Sequence, residues 1–146
     1  MKATGDRKTC SNCQVNRLIS DFYPNAPAQR SADGLRFRCK KCLNAASRRR
    51  NKQLRRKDKI GVLTAYGGRC ICCGETEPRF LTIDHTNNDG AQHRREQGQK
   101  GGSSFYCFLR RMHYPQNLGL QVLCFNCNCG RAANSGVCPH KENAHE

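Results

Sequence analysis

Four Cys-x2-Cys pairs punctuate this chain, at Cys10/Cys13, Cys39/Cys42, Cys70/Cys73 and Cys124/Cys127. A pair at this spacing presents two thiolates on one tight turn, and two pairs close a tetrahedral zinc site. The first two pairs have 25 residues between them and the last two have 50. The cysteines therefore predict two separate Zn²⁺ sites, each pinning together segments distant in sequence. Zinc is favoured over disulfides because the start, Met1 to Asn12, is polar and charged and has no apolar stretch for a signal peptide. No segment is long and apolar enough to span a membrane. The expectation is an intracellular protein that makes no use of a membrane.

Composition supports metal-held modules rather than one large core. Trp is absent, aromatic residues make up 7% of 146 residues, and mean hydropathy is −0.83. Small domains of this kind need metals or disulfides for stability. The formal charge is +15, and each Zn(Cys)4 site would subtract about 2 from it. Residues 1–60 carry a net +13 and residues 61–146 a net +2. Polyanion binding is the natural use of such a basic N-terminal part, which points to DNA as partner.

The expected fold class is small α+β and zinc-stabilised. Residues 1–43 read as a four-Cys, zinc-ribbon-like module (zinc ribbon or treble clef by spacing). Phe22-Tyr23-Pro24 and Asp33-Gly34-Leu35 suggest a small hairpin within it. Residues 44–61 read as a basic helix or linker: Asn44 can cap it, and Pro and Gly are absent until Gly61. Arg48, Arg49, Lys52, Arg55, Arg56 and Lys59 cover much of its surface and are the candidate DNA-binding residues. Its apolar face is too small for a core element. Residues 62–146 form the second unit. Val62 to Tyr66 is a short apolar helical turn ended by Gly67-Gly68, and Arg79 to Asp84 is a strand. The stretch 86–103 is a long polar loop, and a helix over Phe105 to His113 is capped by Ser103 or Ser104. Leu118 to Leu123 is a second strand, and Asn126 to Asn134 a closing helix.

Asp84-His85 falls at the end of the first of these strands, and Asn128 follows the last knuckle cysteine directly. A carboxylate, an imidazole and an amide oxygen suit a hard divalent ion with a general base. The β–loop–β–knuckle–helix order resembles the ββα-metal (treble-clef-like) core of HNH, or His-Me finger, endonucleases, closest to the phage recombination endonuclease VII type. The resemblance spans roughly residues 62–140. It is carried by Cys70, Cys73, Ile83-Asp84-His85, Asp89-Gly90, Val122-Leu123-Cys124, Cys127-Asn128 and Cys138-Pro139-His140. It implies that Asp84 and Asn128 hold one catalytic Mg²⁺ or Mn²⁺, that His85 is the general base, and that Arg131 faces a phosphate. The family's middle Asn lies five residues before the third knuckle Cys. Here Gly119 holds that position and Asn117 lies two residues earlier, so the middle letter of the motif is incomplete.

Further candidates remain open. Cys72, inside its knuckle, could compete as a zinc ligand, and Cys107 reads as a small buried residue. Cys129, Cys138 and His140 could contribute to a third metal site. For Asn128, helix capping is the alternative role. His93-Arg94-Arg95 reads as a solvated or DNA-facing part of the loop. The resemblance implies a metal-dependent DNA endonuclease, a phosphodiester hydrolase in which one core nicks and a homodimer cuts both strands or branched DNA. If phage-encoded, it would act in the bacterial cytoplasm. The rival reading is a non-catalytic, zinc-dependent DNA-binding protein.

Overall fold

The Cys10/Cys13 and Cys70/Cys73 knuckles fold by the same local rule. The residue after the second cysteine turns left-handed, Gln14 at φ 57° and Gly74 at φ 78°. Its N–H then returns to the carbonyl of the first cysteine, Gln14 to Cys10 and Gly74 to Cys70, both at 2.9 Å. The structure, a computed structural model, describes residues 6–25, 31–96, 98 and 101–142. Part of the N-terminal stretch read for a signal peptide lies outside these residues. The chain divides into two units, Met1–Gln53 and Leu54–Glu146. It is a small α+β protein with several cysteine clusters that suit zinc.

In the first unit, strands β1 (Arg7–Thr9) and β2 (Asn16–Leu18) flank the first knuckle as an antiparallel hairpin. Strands β3 (Phe22–Pro24) and β4 (Leu35–Cys39) form a second antiparallel pair. Cys39 ends β4, and Cys42 lies in the first turn of helix α1 (Lys40–Ala65). The second cysteine pair thus sits on a strand-to-helix junction. Phe22, Cys10 and Cys39 are the buried core, with Leu35, Cys13 and Cys42 packed on it. So little apolar area cannot offset the chain's conformational entropy unaided.

The expected basic linker and the apolar turn after it are one helix, α1, which runs through Gly61 to Ala65. Gly61 survives mid-helix because the Tyr114 hydroxyl lies 2.8 Å from where its Cβ would stand. The C-terminal end of α1, the expected apolar turn, packs into the core: Val62 and Leu63 are buried. Asp58 is buried too and pairs with Arg110 at 2.7 Å. Gly68 closes the helix by donating its N–H to the Leu63 carbonyl at 2.8 Å, a Schellman-type cap.

Strands β5 (Leu81–His85) and β6 (Leu120–Cys124) pair antiparallel, with Asp84 opposite Gln121 and His85 opposite Leu120. Helix α3 (Ser103–Arg111) buries Phe105 and Leu109 beside Val62, an i, i+4 pair on one face. Gly102, not a serine, takes its N-cap position and makes no side-chain cap bond. Within the expected long loop lies a helix, α2 (Gly90–Glu96). It escapes a pattern search because none of its residues is buried. Helix α4 (Phe125–Ala133) is capped by Cys124, whose sulfur accepts from the Cys127 N–H, and α5 (Pro139–Glu142) follows. Among the described residues, no helix is long and apolar enough to cross a membrane.

Candidate functional site

Both predicted cysteine quartets assemble. Cys10, Cys13, Cys39 and Cys42 bring their sulfurs within 4.8 Å of one another, and so do Cys70, Cys73, Cys124 and Cys127. With Zn–S near 2.3 Å, a tetrahedral site sets its sulfurs about 3.8 Å apart. Cys10 to Cys42 at 3.9 Å and Cys73 to Cys124 at 3.6 Å match that edge. Backbone N–H groups point at the sulfurs, as from Cys39 to Cys10 at 3.3 Å. Such bonds, from Cys39 and Cys13 above all, hold the Cys10 thiol down at about 6. Burial raises the Cys70 thiol, but N–H groups of Cys73, Cys124 and Cys72 outweigh it and hold that thiol near 6 as well. Burial pushes the Cys42 thiol up to about 12 and raises Cys127 as well, so it is the four-sulfur geometry that suits these donor sets to structural zinc.

A third group, not among the two expected, gathers Cys72, Cys127, Cys138 and His140 within the same 4.8 Å. Cys72 thus groups with these three residues rather than with Cys70 and Cys73, and the exposed Cys129 falls in none of the groups among the described residues.

His85 ends β5 with its ring buried, 5% exposed. The Phe105 ring stands 5.6 Å away, tilted 31°. Its Nε2 lies 2.7 Å from Nδ1 of His93 on α2, so one of the two nitrogens carries the shared hydrogen. Burial, and then the charge on His93, lower His85 from its ordinary value, which keeps the ring neutral at physiological pH. Gly90 opens α2 against this ring. A Cβ there would stand 2.6 Å from His85 Nδ1. His93 is a site residue that the sequence does not reveal, reading there as a solvated or DNA-facing part of the loop. The available signal was its place one helical turn after Asp89-Gly90, on a segment too polar to betray its helix.

His85 and Asn128 line one open cleft of about 410 Å³, together with Lys59, Arg94, Phe105 and Tyr106. Asn128 lies inside α4 and does not cap it, because Cys124 does. Asp84 is not among that cleft's lining residues. Its Oδ2 accepts from Gln121 Nε2 at 2.8 Å and from Arg131 Nη1. Arg131 also donates to the carbonyls of His85 at 3.0 Å, Thr86 and Gly136. This corrects its expected role: four acceptors engage the guanidinium, so it braces Asp84 and the loop after His85 rather than facing a phosphate. At the position of the missing middle Asn, Gly119 adopts φ 58°. Its carbonyl accepts from the N–H of Thr86 at 2.8 Å and from the Thr86 hydroxyl at 3.0 Å. The backbone beside His85 is thus fastened by a residue free to turn left-handed, and Asn117 lies in a separate 3-10 turn (Gln116–Leu118).

Arg48, Arg49 and Lys52 are exposed on α1 in the first unit, and Arg55 and Arg56 in the second. Lys59 is half-buried, with its ammonium 5.5 Å from the centre of the Phe125 ring. Burial lowers its pKa. No protein-family model, no curated protein and no solved structure matches this chain.

Proposed function

We propose that the protein is a metal-dependent DNA endonuclease of the HNH kind, with β5, β6 and α4 as a ββα-metal core framed by zinc. The observation that carries this reading is a buried His85 on the wall of an open cleft shared with Asn128, Lys59 and Arg94. A pure zinc-held DNA binder has no need of a desolvated histidine beside a basic cleft. His85 would take the proton from the attacking water, and His93, bonded to its Nε2, would set which ring nitrogen is free. Asp84, through Oδ1, and Asn128, through its amide oxygen, would hold Mg²⁺ or Mn²⁺. That ion would supply charge stabilisation at the phosphate. Lys59 and Arg94 would draw the strand into the cleft, and the exposed cations of α1 would grip the duplex.

One observation favours the non-catalytic reading: Arg131 and Gln121 already engage the Asp84 carboxylate. Supercoiled plasmid with Mg²⁺ decides between the two. Wild type should nick, and His85→Ala should lose about 10²-fold or more of the rate. Because His85 is shifted down, the acid limb of the wild-type rate should lie below pH 6.5. Equal nicking by both proteins removes His85 from the mechanism. Tight DNA binding without cutting of any DNA form, by a zinc-loaded wild type, establishes the binder instead.

A further inference from the structure

We propose that the second unit binds two zinc ions rather than one, the second held by Cys72, Cys127, Cys138 and His140, with the Cys127 thiolate bridging both. Cys127 belongs to two ligand groups at once, one with Cys70, Cys73 and Cys124 and one with Cys72, Cys138 and His140. The imidazole Nδ1 of His140 lies 3.3 Å from Cys127 Sγ, 3.6 Å from Cys138 Sγ and 4.0 Å from Cys72 Sγ. With Zn–S near 2.3 Å and Zn–N near 2.0 Å, a tetrahedral S–N edge is about 3.5 Å. These three separations bracket that value. A thiolate sulfur has lone pairs enough for two metals, so each ion would complete four ligands from a total of seven.

Local structure explains why these residues meet. Cys72 sits between Cys70 and Cys73, two ligands of the four-cysteine quartet, and joins the second group instead. Cys138 and His140 flank Pro139, which opens α5. That proline approaches α4 so closely that a Cβ on Gly130 would stand 3.0 Å from its Cδ. Cys127 is fully buried and Cys138 nearly so, while His140 lies at the surface, where an ion can enter. Charge agrees with the count. Two Zn²⁺ against six thiolates leave about −2, no more than one four-cysteine site carries, whereas one ion among six thiolates would leave about −4.

Metal content of the full-length chain, loaded with zinc and measured by native mass spectrometry, tests this. Wild type should hold three ions, Cys72→Ser and His140→Ala two each, and Cys129→Ser three. A Cys72→Ser chain that binds as many ions as wild type overturns the second site, whatever the absolute count. Cobalt substitution tests the bridge. Two Co²⁺ sharing one thiolate couple magnetically and lose spin-resonance intensity, which Cys72→Ser should restore. Charge-transfer intensity in that variant equal to two four-thiolate sites, one per unit, shows the frame of the second unit intact, so that lost zinc reports the site and not unfolding. Full uncoupled intensity from a three-cobalt wild type overturns the bridge.

Discussion

Arg131 illustrates how a residue's chemistry can be right and its role wrong. One turn beyond Cys127, a guanidinium is easily read as a phosphate ligand. Here the same five-donor fork closes on Asp84 and on three backbone carbonyls. Arg131→Ala would leave a mostly buried carboxylate and those carbonyls short of donors. We expect unit 2 to lose about 2–4 kcal/mol of stability in denaturant titration. The salt dependence of DNA binding should stay as it is. A slope shallower by about 0.9 would instead mark Arg131 as a phosphate contact.

At the scale of elements, α2 is the segment whose placement matters most to the site. Gly90→Ala places a methyl group against the His85 ring, so α2 or the ring must shift and the pairing with His93 weaken. Nicking should fall at least about tenfold, while zinc content and thermal unfolding change little. An unaltered rate would show that the ring does not depend on how α2 begins. Which elements were legible follows from where their information lies. The knuckles were, because their ligands sit three residues apart; β5 and β6 were, because their apolar runs end on Asp84-His85 and on Cys124, and α4 was, because it follows the last knuckle. The passage of α1 through Gly61 was not, because glycine punctuates helices unless a partner such as Tyr114 needs the space. Nor was α2, which buries nothing. In the site, His85 and Asn128 sharing a cleft could be read from the knuckle spacing. The His85–His93 pair could not, because α2 buries nothing that would betray its helix, and of the third cysteine group the sequence offers Cys138 and His140 but not their meeting with Cys72 and Cys127, which are distant in the chain.

For the whole molecule, the asymmetry of charge sets the expected behaviour towards DNA. Unit 1 and the exposed turns of α1 carry most of the cations, whereas the candidate cleft contributes Lys59 and Arg94. Replacing Arg48, Arg49 and Lys52 together by Ala should flatten the slope of log affinity against log salt by about 2.7 if each meets a phosphate. Any cleavage should slow through weaker binding, with the rate at saturating DNA preserved. A lower saturated rate with unchanged affinity would place those side chains at the chemistry instead.

The span between cysteine pairs also bears on how the chain acquires its structure. Each knuckle is a local chelate that can capture an ion before anything else is in place. Completing a quartet then requires closing the chain from Cys13 to Cys39 in one unit, and from Cys73 to Cys124, about twice as far, in the other. Each doubling of a flexible loop costs about 0.6 kcal/mol of closure entropy. The N-terminal quartet should therefore form first. The other is left longer as a half-liganded intermediate amid spare thiols, where an ion caught by the wrong set would delay the native state.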